Sequence, residues 1–373
     1  MSSDTGILNE AYERFHTTGP EFSGALSNHG PMAVEAMVQH GHDRQVHAWI
    51  DWYQDRLEEL PRGITPVTRA DWREALGDAT RLGDWTTFML REAGERPWRE
   101  LLVEWWPRLL PAITTGSTHG VIRVGHAVRA LLAEEAATAA LAREDAVAPA
   151  SGAATQLIEG PRIAEFAHSL AYWAARWRPL DVKAPAQDGR RTPSAALAEI
   201  PSVSEQGISI THRFSQLGTT PGWDAALGSL QRPETPRQAA KLLADLADAA
   251  VLDYLVHGQG GPVMLVHAST APTAVLRTLA ALPEDLWLPS LDAAWLATAA
   301  ITAAYRSSEA APEDVAAAMS RTGNPQESFD RAVRHRDEHA VKFADSALDA
   351  FERTGNKDTL AAATRATMMI KPG

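Results

Sequence analysis

Apolar residues recur three and four apart over most of this chain. Between residues 121 and 132, Val121, Val124, Ala127, Val128, Leu131 and Leu132 lay a single stripe along one helix face. The same period predicts helices over 33–39, 46–57, 69–75, 98–110, 163–176, 239–256, 273–282, 291–304 and 328–351. Alanine, the strongest helix former, is abundant in the last third and reinforces the pattern there. Thr68 with Asp71, Asp84, Thr235 before Pro236, and Ser290 before Leu291 read as N-caps. Strand signals are scarce. The run 263–266, after Gly260-Gly261-Pro262, suits a short strand and the start of a buried helix equally. The expectation is an all-α fold.

Two stretches interrupt the period. Residues 146–160 and 179–213 are rich in Ala, Pro, Ser, Gly and Gln, and read as long irregular connections, the second as a cover over a site. Neither has the length or polarity of an interdomain tether. The chain therefore reads as one large domain over 1–373, built of packed helical hairpins.

Composition narrows the function. The 373 residues carry a net charge of −12, which disfavours a protein that works by neutralising phosphates, so no nucleic-acid partner is expected. With no cysteine there are no disulfides, iron–sulfur clusters or thiolate-bound metals; any metal is held by nitrogen and oxygen. The first residues lack a basic stretch followed by an apolar run, and no segment reaches the roughly 18 apolar residues of a spanning helix. The expected location is the cytoplasm, away from membrane. The spacing says nothing about oligomeric state.

Thirteen histidines are then the obvious candidate ligands. A lone histidine is more often a surface residue or a satisfied interior one, and His16, His40, His47, His168 and His212 have no context that lifts them above that. His29 sits in Leu26-Ser27-Asn28-His29-Gly30-Pro31-Met32, where Asn28 and Pro31 mark a helix entrance; its plainer role is a polar cap. His119 opens the apolar helix in Ser117-Thr118-His119-Gly120-Val121-Ile122-Arg123. His126 lies two turns further along nearly the same face, as a metal pair or a buried hydrogen-bonded pair would. His267 lies between Val263-Met264-Leu265-Val266 and Ala268-Ser269-Thr270-Ala271-Pro272, an apolar setting in which an imidazole needs a partner or a metal.

His339 and Lys342 are three apart in Asp337-Glu338-His339-Ala340-Val341-Lys342-Phe343 and share a helix face. Arg334, Arg336, Asp337 and Glu338 equally suit an exposed, charged helix. A lysine buried beside histidines and a cation would lose its proton, through desolvation and like charge together. A neutral amine can add carbon dioxide, and the carbamate so formed is a carboxylate-like oxygen ligand.

Taken in order, Asn28-His29, Thr118-His119-Gly120-Val121-Ile122-Arg123, His267-Ala268-Ser269-Thr270-Ala271-Pro272 and Asp337-Glu338-His339-Ala340-Val341-Lys342 resemble the questin oxidase family, formerly a domain of unknown function. The segments run from residue 28 to 342, nearly the whole chain. The resemblance implies an oxygenase of secondary metabolism that opens a ring of an anthraquinone-type polyketide with dioxygen. It also implies a non-haem Fe(2+) held by His29, His119, His267, His339 and a carbamate on Lys342. Around His29 the sequence departs from fungal members, which leaves His42 and His126 as substitutes. Such a set fills five of six octahedral positions and leaves one for dioxygen, so the polycyclic phenol would bind beside the metal. Arg123, one turn after His119, is the expected stabiliser of the phenolate; its plainer role is a structural ion pair.

Trp49, Trp52, Trp105, Trp106, Trp173, Trp177 and Trp295 suit a flat aromatic substrate, yet large aromatics at helical spacing are usually core, so only one or two would touch it. Three other readings compete. A Baeyer–Villiger monooxygenase on the same substrate class would, if flavin- or nicotinamide-dependent, carry a Gly-x-Gly-x-x-Gly turn after a strand, and Gly258-Gln259-Gly260-Gly261 lacks both spacing and strand, which leaves cofactor-free or metal-based oxygen insertion as its open form. His335-Arg336-Asp337 has the spacing of a two-histidine, one-carboxylate iron site but lies in a helical stretch, where i and i+2 diverge. A non-catalytic helical scaffold predicts no stoichiometric metal.

Overall fold

The computed structural model describes residues 3–24, 26–145, 160–182, 189–207 and 209–373. Among these the fold is all-α, as the period predicts. The only sheet is a two-residue hairpin, Glu21–Phe22 against Leu26–Ser27. Most of the 146–160 connection lies outside the described residues. The described parts of 179–213 are mostly irregular, as read from sequence, and are interrupted by the short helices Pro193–Glu199 and Ile210–Ser215.

Backbone contacts divide the chain into two compact units, each assembled from separated segments. The first comprises Met1–Leu110, Arg123–Arg178 and Arg277–Pro283; the second comprises Pro111–Ile122, Pro179–Leu276 and Glu284–Gly373. In the first, helices Ser3–His16, Gly30–Gln39, Asp43–Gln54, Leu82–Glu95 and Pro161–Ala175 bury an aromatic core. Trp105 is its centre, with Trp72, Trp85 and Phe88 meeting it edge-on at centroid distances of 5.1, 5.5 and 5.8 Å. Trp106 and Trp173 form a second edge-on pair at 5.7 Å. Most of the tryptophans are core.

In the second unit, Pro236–His257, Pro262–Thr278, Trp287–Tyr305, Glu338–Thr354 and Lys357–Met369 form the main layer of helices. Thr235 caps the first of them, as read from sequence, and the structure adds a reciprocal box with Gln238. Asp84 and Ser290 prove not to be N-caps. Asp84 lies inside the first turn of its helix, and its Oδ1 accepts from the Ile64 and Thr65 N–H groups at 2.7 and 3.0 Å. Ser290 bonds back to the Leu286 carbonyl within Trp287–Tyr305.

The run 263–266 is helical, within Pro262–Thr278. Pro272 interrupts that helix's ladder, because it has no N–H for the carbonyl of Ala268. Thr298 of the neighbouring helix supplies the donor instead, at 2.9 Å. The predicted helix over 328–351 is two helices, Pro325–His335 and Glu338–Thr354. Arg336 takes a left-handed conformation (φ 67°) between them, and Asp337 caps the second. No described helix is long and apolar enough to cross a membrane.

Candidate metal centre

His119, His267, His339 and Lys342 all belong to the second unit, and it brings them together. The approach to His119 is strained. Gly116, Ser117 and Thr118 have φ values of 55°, 56° and 69°, three successive left-handed residues of which two carry a Cβ. Thr118 is β-branched and fully buried, and such a conformation costs about 1–2 kcal/mol per residue. The turn delivers the Gly116 carbonyl to the His119 ring, where Nδ1 bonds to it.

His267 is held in the same way. Its Nδ1 lies 3.1 Å from the Met264 carbonyl, and its ring meets that of His119 edge-on, with centroids 4.6 Å apart. The two Nε2 atoms are 2.9 Å apart. A ring nitrogen facing a carbonyl must carry the proton, so each Nε2 presents a lone pair to the other. His339 brings a third ring, 5.4 Å from His267, and one nitrogen of each imidazole lies within 4.8 Å of the others.

The helix Glu338–Thr354 positions His339 and Lys342 one turn apart on one face. Asp337 fixes its start: Oδ1 accepts from the His339 and Ala340 N–H groups at 2.8 and 3.1 Å and stands 3.5 Å from His339 Nδ1. Lys342 is 0% exposed, and its Nζ has no hydrogen-bond partner among the described residues. Burial pulls its ammonium down to about 7, against the opposing pull of Glu338 and Asp337. Burial also pushes His119 and His267 well below the ordinary histidine range, with the charge of Lys342 and the neighbouring imidazoles adding to it.

The remaining expected residues lie in the first unit. His29 is buried at the N-cap of Gly30–Gln39, and its backbone N–H donates to Tyr53 Oη at 2.8 Å. Gly30 lets this helix start against Phe15; a Cβ there would come within 2.4 Å of the Phe15 ring. His42 is the N-cap residue of Asp43–Gln54. His126 is committed to a carboxylate, its Nδ1 lying 2.7 Å from Glu35, which Arg129 also grips.

Arg123 makes the buried ion pair that is the plainer of its two readings. Its Nε and Nη2 close on Glu165 at 2.6 and 2.8 Å, both side chains buried. Burial would raise the Glu165 carboxyl, but Arg123 and then His16 hold it at about 2. His16 Nε2 approaches Glu165 at 3.2 Å and stacks on His168, centroids 4.5 Å apart. Burial, followed by the charges of His16 and Arg123, lowers His168 to about 3.

The donor set of the second unit can hold a divalent cation. Facing lone pairs on buried imidazoles repel unless a proton or a metal lies between them, and burial disfavours the proton. A buried amine without a partner is the kind of group that a carbamate would turn into a ligand. Sequence reasoning missed the left-handed turn at Gly116–Thr118, the Glu165 partner of Arg123 and the Asp337 cap. Only the last had a signal, an Asp one residue ahead of a helical stretch.

No curated protein and no solved structure matches this chain. A family model described as questin oxidase-like matches residues 26–346, which includes His29, His119, His267, His339 and Lys342. The chain therefore belongs to the questin oxidase-like family.

Proposed function

We propose that this protein is a non-haem iron oxygenase that opens a ring of an anthraquinone-type polyketide or related polycyclic phenol. His119, His267, His339 and the carbamate of Lys342 would hold the metal, with His29 as a fourth imidazole on the strength of the family resemblance. The observation that carries the reading is the 2.9 Å approach of two Nε2 atoms whose Nδ1 partners are both backbone carbonyls. Two neutral imidazoles so fixed have no proton to share, and a cation satisfies both.

Iron bound there would supply one-electron and dioxygen chemistry. The chain's own residues do the rest. The Gly116 and Met264 carbonyls hold two rings in the ligating tautomer, and Asp337 fixes the first turn that carries His339. Burial keeps the Lys342 amine uncharged enough to attack carbon dioxide, forming an N–C bond and releasing one proton. Burial keeps water from the His267 imidazole, which is 1% exposed, with Ala271 one turn along the same helix face fully buried.

Metal analysis of anaerobically purified protein, beside His267→Ala and Lys342→Ala, tests the reading. The expected result is about one iron per chain in the wild type and loss in both variants, with oxygen uptake when a polycyclic phenol is added. A wild-type protein without stoichiometric metal would favour a non-catalytic scaffold. Unchanged iron in Lys342→Ala would remove the carbamate.

A further inference from the structure

The helix Pro262–Thr278 carries three neighbouring hydroxyl side chains, and two behave as helical hydroxyls usually do. Ser269 Oγ donates to the Val266 carbonyl at 3.0 Å and Thr273 Oγ1 to the Ser269 carbonyl at 2.9 Å. Thr270 does not. It is 3% exposed, and its Oγ1 has no hydrogen-bond partner among the described residues. A buried hydroxyl without a partner is costly and uncommon, and it calls for an explanation.

Helix geometry shows which way Thr270 faces. At about 100° per residue, Thr270 lies about 60° from His267 around the axis and about 160° from Ala268. Ala268 marks the side that meets the neighbouring helix, since its carbonyl accepts from Thr298. Thr270 is therefore turned away from that contact and toward the side on which His267 meets His119 and His339. Arg123, the donor expected from sequence, gives Nε and Nη2 to Glu165, which leaves only Nη1 without a partner among the described residues.

We infer that the Thr270 hydroxyl is the hydrogen-bond donor to the exogenous oxygen- or nitrogen-donor ligand that binds beside His267. The inference rests on the metal-centre reading given above. In it, Thr270 holds a donor ready for a group that arrives only with the ligand, and the fold bears the cost of an idle hydroxyl until then. Valine has the same shape as threonine and no donor; serine keeps the donor.

The test uses full-length, iron-loaded protein with azide as the probe, read by the absorption band of the ferric complex, together with thermal melting. Thr270→Val should bind azide about tenfold more weakly than wild type, the worth of one hydrogen bond to an anion, while Thr270→Ser stays near wild type. The valine variant should also melt at or above the wild-type temperature with iron content unchanged, because it loses only an unsatisfied hydroxyl. Azide affinity of Thr270→Val within about twofold of wild type would overturn the inference and leave the metal centre standing. So would a melting temperature that drops in valine and recovers in serine, or a valine variant that fails to fold, since either makes the hydroxyl structural. A wild-type protein that takes up no iron would overturn the metal-centre reading and this inference with it.

Discussion

His119 and His267 face each other through their Nε2 atoms at 2.9 Å, while the Nδ1 of each is turned to a backbone carbonyl. Such a pair is better satisfied with a cation than without one, so metal and fold should be linked. Treatment with a chelator is expected to lower the melting temperature, and ferrous ion or zinc to restore it. Divalent metal at about a hundred times its dissociation constant should add about 2.7 kcal/mol to the unfolding free energy. A melting curve indifferent to chelator and metal would count against the link.

Lys342 should reveal itself in the metal-free protein through alkaline pH. Its folded pKa of about 7 is below the ordinary 10.5, so between those values the unfolded chain binds more protons than the folded one. Stability should rise with pH across that window, by at most about 1.4 kcal/mol per unit. Lys342→Met should flatten the rise and melt no lower than wild type at pH 7, yet hold less iron. Denaturant titrations of both proteins at several pH values would check this.

Strain before His119 sets up an opposite pair of effects. Thr118→Gly relieves a β-branched residue at φ 69° and should stabilise the metal-free chain by about 1 kcal/mol. The same substitution loosens the turn that presents the Gly116 carbonyl, so iron should bind more weakly. Urea unfolding and metal titration of one preparation would show both.

Arg123 and Glu165 form a buried ion pair, and removing one partner strands the other. Arg123→Ala and Glu165→Ala should each lose about 3–5 kcal/mol, whereas the double replacement by methionine should cost much less. The comparison is made by urea denaturation as a double-mutant cycle.

Mild acid should destabilise the first unit through His168. Its folded pKa of about 3 lies below the ordinary 6.5, so its contribution is complete above pH 6.5 and falls as the pH drops. Glu165 and Glu35, both held at about 2, add to the loss only below about pH 4.5. Between pH 6.5 and 5, therefore, His168→Gln should weaken the pH dependence of the melting temperature. A variant with the wild-type slope would show that this ring is not the group being protonated.

How far the sequence carried these conclusions differs from element to element. The helix His119–Asp145 was readable from the apolar period of its first half, which is buried through Leu131, whereas its second half is largely exposed. The break at Arg336 was not, because the apolar period runs through it and only a local left-handed residue interrupts the ladder. Asp84 and Ser290 misled for one physical reason: their oxygens serve inside a first turn, where composition resembles a cap. His339 and Lys342 could be paired from spacing. The meeting of His119 with His267, 148 residues apart, could not, since periodicity carries no long-range distance.

Pro272 gives the site a property of another kind. A helix that satisfies all its own carbonyls can slide along its axis against a neighbour at little cost beyond side-chain repacking. Pro262–Thr278 cannot, because the Ala268 carbonyl takes its proton from Thr298 of the next helix. The proline turns an internal bond into a mechanical stop, and the residue beside that stop is His267. The height of the imidazole is thereby set from outside its own helix, so a ratchet of either helix past the other would have to break a buried hydrogen bond before it could move the ring.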